Sequence, residues 1–175
     1  MPQRSSRARP EGRAMEIRVG QGFDVHRFEA DSASGRVLVL GGVQFPGERA
    51  LAGHSDADAV AHAIADAVLG AAGLGDIGMH YPDTDPAWKG ADSLRILADV
   101  AAKVRAEGWS VSNADCSVVC ESPRIAPARD EMCARLSAAL GAPVSVKGRR
   151  AEGLGAIGRG EGIMCFASAL LTRGA

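Results

Sequence analysis

Residues 53–78 read GHSDADAVAHAIADAVLGAAGLGDIG. The Ala-rich run inside this stretch predicts a helix over about 56–70. Ser55 stands before it with Asp58 three later, the spacing of a capping box with Asp in place of the usual Glu. Gly73-Leu74-Gly75 ends the regular region, and 75–90 reads as a loop of glycine, proline and aspartate. Upstream, residues 17–23 predict a first strand that continues through Val25. Residues 36–45, RVLVLGGVQF, predict a second strand with a glycine break, closed by the Pro46-Gly47 turn. Downstream come a helix over 91–107 ending at Gly108, a strand over 109–121 and a turn flanked by Pro123 and Pro127. A helix over 128–140 follows, stopped by Gly141 and Pro143, then a short strand at 144–147. Five glycines between 153 and 162 mark a loop or short helix, and 163–171 closes as a strand. The order β, β, α, α, β, α, β, β predicts an α/β fold of the layered α+β kind. Its mixed sheet is covered by helices on one face. The other face needs cover, which in so short a chain points to self-association.

Composition bounds the function. The chain has 175 residues and a formal net charge of -1, with 46% hydrophobic residues. That balance excludes a binder of nucleic acid that works through a basic surface, and the apolar content excludes a disordered chain. No apolar run approaches the ~20 residues of a membrane span. Large anchors are few: 32 Ala and 22 Gly stand against seven aromatics. Elements must therefore pack closely through small side chains. Arg4, Arg7, Arg9 and Arg13 against Glu11 give residues 1–14 a net charge of +3. We read 1–14 as a flexible tail and 15–175 as a single domain. No apolar stretch follows the tail, so we expect no secretory signal. The location expected is bacterial cytoplasm, or a plastid only if the tail is the remnant of a transit peptide. Cys116, Cys120, Cys133 and Cys165 form no CxxC pair and read as buried thiols in a reducing compartment. Cys116 and Cys120 face one side of a strand, a metal pair in spacing that no partner motif supports.

Chemistry clusters between residues 24 and 86. Asp24 and His26, two apart at the end of a strand, share one face. Asp58, His62 and Asp66, spaced by four, share one face of the helix. One carboxylate and two imidazoles make a three-ligand set for zinc, with a fourth position open to water or substrate. Each residue alone has a plainer reading, as a packed or exposed helical His, or as an Asp-x-His that arises by chance. His54-Ser55-Asp56 fits helix capping, with Ser55 on the orphan N–H groups and Asp56 at the positive end. Exposed N–H groups there, with His54 and Ser55, also fit a phosphate met at that terminus. The stretch GDIGMHYPDTDP (75–86) fits an acidic solvent loop held by Asx turns, or a rigid loop reaching a polyol or cation. The glycines around Arg159 and Glu161 have the composition of a phosphate cradle but lack the Walker lysine and serine. GxSxG and dinucleotide fingerprints are absent.

Together GQGFDVHRF (20–28), LGG (40–42), the 53–78 stretch, HYPDTDPAWKGADS (80–93) and GRGEGI (158–163) resemble the 2-C-methyl-D-erythritol 2,4-cyclodiphosphate synthase family over about residues 17–172. The resemblance implies that Asp24, His26 and His62 bind zinc, one ion per subunit, and that His54 and Ser55 stabilise a substrate phosphate. It implies that Asp76, Ile77, Gly78, Tyr81, Pro82, Asp83, Thr84 and Asp85 hold the methylerythritol unit. Cys120, Glu121, Ser122, Pro123, Arg124, Ile125 and Ala156 would form the cytidine pocket. Glu152 would bind a second cation, Mg²⁺ or Mn²⁺, and Arg149, Arg150 and Arg159 would lie on the phosphate side. The implied reaction is an intramolecular phosphoryl transfer in the non-mevalonate isoprenoid pathway. The 2-phosphate of 4-diphosphocytidyl-2-C-methyl-D-erythritol 2-phosphate attacks the β-phosphorus, CMP leaves, and a cyclic diphosphate remains. The implied assembly is a homotrimer around a sheet-lined core, with active sites at the subunit interfaces and no nucleic-acid or membrane partner.

The chain departs from the family pattern at Gly148-Arg149-Arg150-Ala151, where threonines normally precede the metal-binding Glu, and at Ala156, where a larger apolar residue is common. Arg150 stands where a hydroxyl would touch the diphosphate, and we expect it to act in catalysis with His54 while altering metal dependence. Two other classes fit the same residues: a zinc phosphohydrolase that uses water as nucleophile, and a non-enzymatic trimer with structural zinc.

Overall fold

The computed structural model describes residues 15–30 and 35–174; the expected tail at 1–14 lies outside the described residues. A mixed four-stranded sheet runs in the order β1 (Glu16–Arg27), β6 (Gly162–Arg173), β4 (Ser110–Val119), β5 (Val144–Arg149). β6 is antiparallel to both neighbours, and β4 and β5 are parallel, joined through α4 (Arg129–Leu140). Helix α1 (Ala59–Ala72) lies on β1, β6 and β4, α4 lies on β5, and α3 (Ser93–Ala106) packs against both helices. The helices therefore cover one face, as expected. No helix among the described residues is long and apolar enough to cross a membrane.

Small residues set the spacing between α1 and β1. Gly20 and Gly22 point at the helix, and a Cβ on them would lie 1.9 Å from Ala67 O and 1.8 Å from Ala63 O. No other residue fits there, so the Gly face of β1 meets an Ala stripe of α1 at backbone contact. Strand period two carries that same face on to Asp24 and His26. The opposite face of the sheet is open. Val19 is 72% exposed and Phe23 45%, and Phe23 pairs across to Phe166, itself exposed.

Two expectations change. The strand over 36–45 is a hairpin of its own, β2 (Leu38–Leu40) and β3 (Val43–Phe45), because Gly41 and Gly42 both take positive φ (58° and 73°) and turn the chain. The capping-box reading at Ser55 is also corrected. Helix α1 begins at Ala59, and the buried Asp58 caps it by accepting from Val60 and Ala61 N–H. Asp58 also accepts from Gly41 and Gly42 N–H at 2.8 and 2.7 Å, so a single carboxylate ties the hairpin turn to the helix start. Ser55 Oγ instead accepts from Ala57 N–H. With Asp58 on those helical N–H groups, the helix terminus is closed to a phosphate.

Candidate active site

Asp24 and His26 end the helix-facing row of β1, and His62 lies one residue before Ala63, which touches Gly22. The close approach of strand and helix thus brings the three together. Asp24 Oδ2 is 3.0 Å from His26 Nε2 and 3.1 Å from His62 Nδ1. Asp24, His26 and His62 offer ligand atoms within 4.8 Å of one another, and they are the only group of this kind among the described residues. His26 Nδ1 is 2.8 Å from Ala52 O, which only accepts, so Nδ1 carries the hydrogen and Nε2 turns a lone pair toward Asp24. Two acceptors that close need a cation between them. A proton can serve. Burial pushes the Asp24 carboxyl up, but hydrogen bonds and charge from His26 and His62 overcome this and hold it well below the usual range. Burial likewise pushes His26 down, and the Asp24 bond and charge outweigh it and raise the imidazole. A divalent metal serves better, because N, N and O donors already converge on one point.

The two histidines of the triad border a cavity of about 240 Å³ lined by His26, His54, Ser55, His62, Ile77 and Asp83, with Tyr81, Trp88 and Ile96 on the apolar wall. The loop expected at 75–90 holds two short structured turns, α2 (Ile77–His80) and a 3₁₀ turn at Pro86–Trp88. Asp76 caps the first through Met79 N–H, and Asp85 caps the second through Ala87 N–H. Tyr81 anchors the loop to α3. Its hydroxyl donates to Asp99 Oδ2 at 2.6 Å, and its ring meets Trp88 edge-on at 4.9 Å. His54 Nε2 contacts Asp85 O at 3.1 Å, which ties the loop to the cavity wall.

A second cavity, of about 250 Å³, lies under Cys120, Pro123, Arg124, Ile125 and Ala126, with Arg129, Gly148, Arg149 and Arg150 closing it. Among the described residues four arginines and no acidic residue line it. Arg150 is braced on Glu121, donating to its backbone oxygen and to Oε2 at 3.2 Å. Burial pushes the Cys120 thiol up to about 11, so it is an inert wall. The two cavities have no lining residue in common.

The sequence matches the pattern described as the YgbB family over residues 17–172, nearly all of the described chain. The chain belongs to the YgbB family. It is 54% identical over 162 residues to the bifunctional enzyme IspD/IspF of Anaeromyxobacter dehalogenans, covering 91% of this chain but only 41% of that relative. It is 51% identical to the 2-C-methyl-D-erythritol 2,4-cyclodiphosphate synthase of Burkholderia ambifaria, covering 91% of this chain and 98% of that one. Among solved structures, the CDP complex of IspF from Plasmodium falciparum superposes with a TM-score of 0.77 at 32% identity. That match covers 91% of this chain and 97% of the other.

Within this YgbB fold the expected site residues fall into three places. His26, His62, His54, Ser55, Ile77, Tyr81 and Asp83 line the first cavity, and Asp24 sits behind it against His26 and His62. Asp76, Gly78, Pro82, Thr84 and Asp85 build the loop beside it without lining it. Cys120, Pro123, Arg124, Ile125, Arg149 and Arg150 line the second cavity, whereas Glu121 acts as the brace of Arg150 and Ser122 turns to Glu48. Glu152, Ala156 and Arg159 are exposed outside both cavities, with Arg159 paired to Glu161 at 2.7 Å. Asp66, sharing a helix face with His62, is committed to Ile77 N–H at 2.8 Å. Arg129, Trp88 and Ile96 were not foreseen. Each sits in a helical or turn context whose sequence signal is packing alone.

Proposed function

We propose that residues 15–175 act as one cyclodiphosphate synthase domain. It converts 4-diphosphocytidyl-2-C-methyl-D-erythritol 2-phosphate to 2-C-methyl-D-erythritol 2,4-cyclodiphosphate and CMP. The observation that carries this is the convergence of Asp24, His26 and His62 beside a cavity in a chain of the YgbB family. In the reaction a 2-phosphate oxygen attacks the β-phosphorus, the bond from that phosphorus to the bridging oxygen breaks, and CMP leaves with that oxygen. Attacker and target are joined in one molecule, so gripping both ends removes most of the entropy lost on closing the ring. No side-chain nucleophile is needed.

Asp24, His26 and His62 would hold zinc, and Glu152 would hold Mg²⁺ or Mn²⁺ against substrate phosphates. Bound cations there supply positive charge against phosphate oxygens that repel one another. His54 and Ser55 bind the phosphate at the triad. The 76–85 loop would hold the methylerythritol, with Asp76 binding its hydroxyls from the loop beside the cavity. The second cavity takes the cytidine, with Arg124, Arg149 and Arg150 on its phosphates. A structural zinc would want a fourth protein ligand; three leave room for substrate.

The two cavities share no lining residue, and in a homotrimer the first cavity of one subunit would face the second cavity of its neighbour across the interface. The open sheet face, with Val19, Phe23 and Phe166, supports such self-association. Four free cysteines suit a reducing cytoplasm. The test is CMP release from the cytidylyl substrate. Chelator treatment should abolish it and zinc with magnesium should restore it. Release that survives stripping of metal would overturn the reading.

A further inference from the structure

The two histidines of the triad are oriented by different means. His26 is fixed by a backbone carbonyl, which no side-chain change removes. His62 Nε2 instead lies 2.8 Å from the hydroxyl of Ser93, the first residue of α3, which is 1% exposed. A serine hydroxyl can donate or accept, so by itself it does not decide which imidazole nitrogen carries the hydrogen. Asp56 decides it. The Ser93 hydroxyl also touches Asp56 Oδ1. Asp56 is itself held in place: Oδ2 accepts from Ser93 N–H at 3.1 Å, Oδ1 from Asp58 N–H at 3.2 Å, and its own N–H donates to Ala91 O at 3.1 Å. An ionised carboxylate only accepts, so the single hydroxyl hydrogen of Ser93 goes to Asp56. Oγ is left to accept and His62 Nε2 must carry a hydrogen, so in the neutral imidazole that a metal requires Nδ1 is the bare nitrogen toward Asp24.

We propose that Asp56 and Ser93 form a positioning relay that sets the tautomer of His62 and aims its Nδ1 lone pair at the metal position. This rests on the reading of Asp24, His26 and His62 as a metal centre. Ser55 Oγ, at 3.3 Å, is a weaker second acceptor for the same hydrogen, and it is the hydroxyl assigned to the substrate phosphate. Ser93 is therefore the partner that stays with His62 throughout turnover. The relay also couples the start of α3 to the metal ligand on α1 through one buried hydroxyl.

The test uses the whole chain and Co²⁺ as an absorbing probe for the metal. Wild type should bind it, and Ser93→Ala should bind about 10- to 100-fold more weakly. Ser93→Ala also removes a buried hydroxyl with two hydrogen-bond partners, so its metal-free unfolding midpoint should fall, and affinities are compared at a temperature where both proteins are fully folded. A second readout does not need the variant. Long-range 1H–15N spectra of zinc-loaded wild type should show His62 with hydrogen on Nε2 and metal on Nδ1. Equal cobalt affinity in wild type and Ser93→Ala, or metal on Nε2, overturns the relay while leaving the metal centre intact. A wild type that binds no cobalt overturns the metal centre itself, and the relay with it.

Discussion

Gly22 governs the distance between the strand that carries Asp24 and His26 and the helix that carries His62. A Cβ there would lie 1.8 Å from a backbone oxygen, which cannot give way as a flexible side chain would. Gly22→Ala should therefore cost about 3 kcal/mol or more in denaturant unfolding. The surviving folded fraction should lose metal affinity, because the ligands part as strand and helix do. His62→Ala acts on the centre alone: metal retained after dialysis should fall from about one equivalent to near zero, with the fold kept. Arg150 tests the arginine-lined cavity. If its guanidinium carries part of the charge otherwise supplied by a second cation, Arg150→Thr should raise the Mg²⁺ needed for half-maximal CMP release about tenfold. Superimposed metal curves would show that Arg150 has no such share. At this scale strand period two put Asp24 and His26 on one face, whereas the choice of His62 over His54 came only from the family resemblance. Which face of the helix met which face of the strand was not legible, since that depended on Gly20 and Gly22 fitting the Ala stripe.

The loop between α1 and α3 is held at its base by one side-chain network. Tyr81 donates to Asp99, and Lys103 donates to the same Asp99 oxygen at 2.8 Å. The Lys103 and Tyr81 hydrogen bonds hold the Asp99 carboxyl below its usual range, and burial with the Asp99 contact pushes the Tyr81 hydroxyl well above its own. The signs follow. A lowered acid contributes stability above its unfolded value and loses it as pH falls, while a raised phenol contributes below its unfolded value and loses it as pH rises. Tyr81→Phe should cost about 1 kcal/mol at neutral pH, at the low end for a charged partner because Asp99 is half exposed. The difference from wild type should be widest between about pH 4 and pH 10 and should narrow at both ends. A gap that does not change with pH would remove Asp99 from the account. Elements were legible where periodicity was long, as in α3 and α4, and misread where single polar atoms decide. Asp58 took the cap from Ser55 because only its buried carboxylate can also reach the hairpin turn. Two adjacent glycines split one apparent strand into β2 and β3.

At the scale of the molecule, the sheet has a covered face that is finished and an open face that is not. Phe23 and Phe166, with ring centroids 5.1 Å apart, put an aromatic pair at the centre of that open face. If three chains close around it, Phe23→Asp should reduce the particle measured by analytical ultracentrifugation from three chains to one. Because the two cavities would then no longer meet, CMP release should fall with it. A variant that stays assembled and active would place the interface elsewhere. The layered fold could be read from element order alone, whereas the proposed meeting of the two cavities rests on an assembly that no element order in one chain specifies. In the proposed reaction the attacking oxygen comes from the substrate and not from water. Incubation of the metal-loaded chain with 4-diphosphocytidyl-2-C-methyl-D-erythritol 2-phosphate, followed by phosphorus NMR, tests it directly. Cyclisation yields the coupled pair of signals of a cyclic diphosphate together with CMP; a free monophosphate product with no cyclic species would mean that water attacks instead.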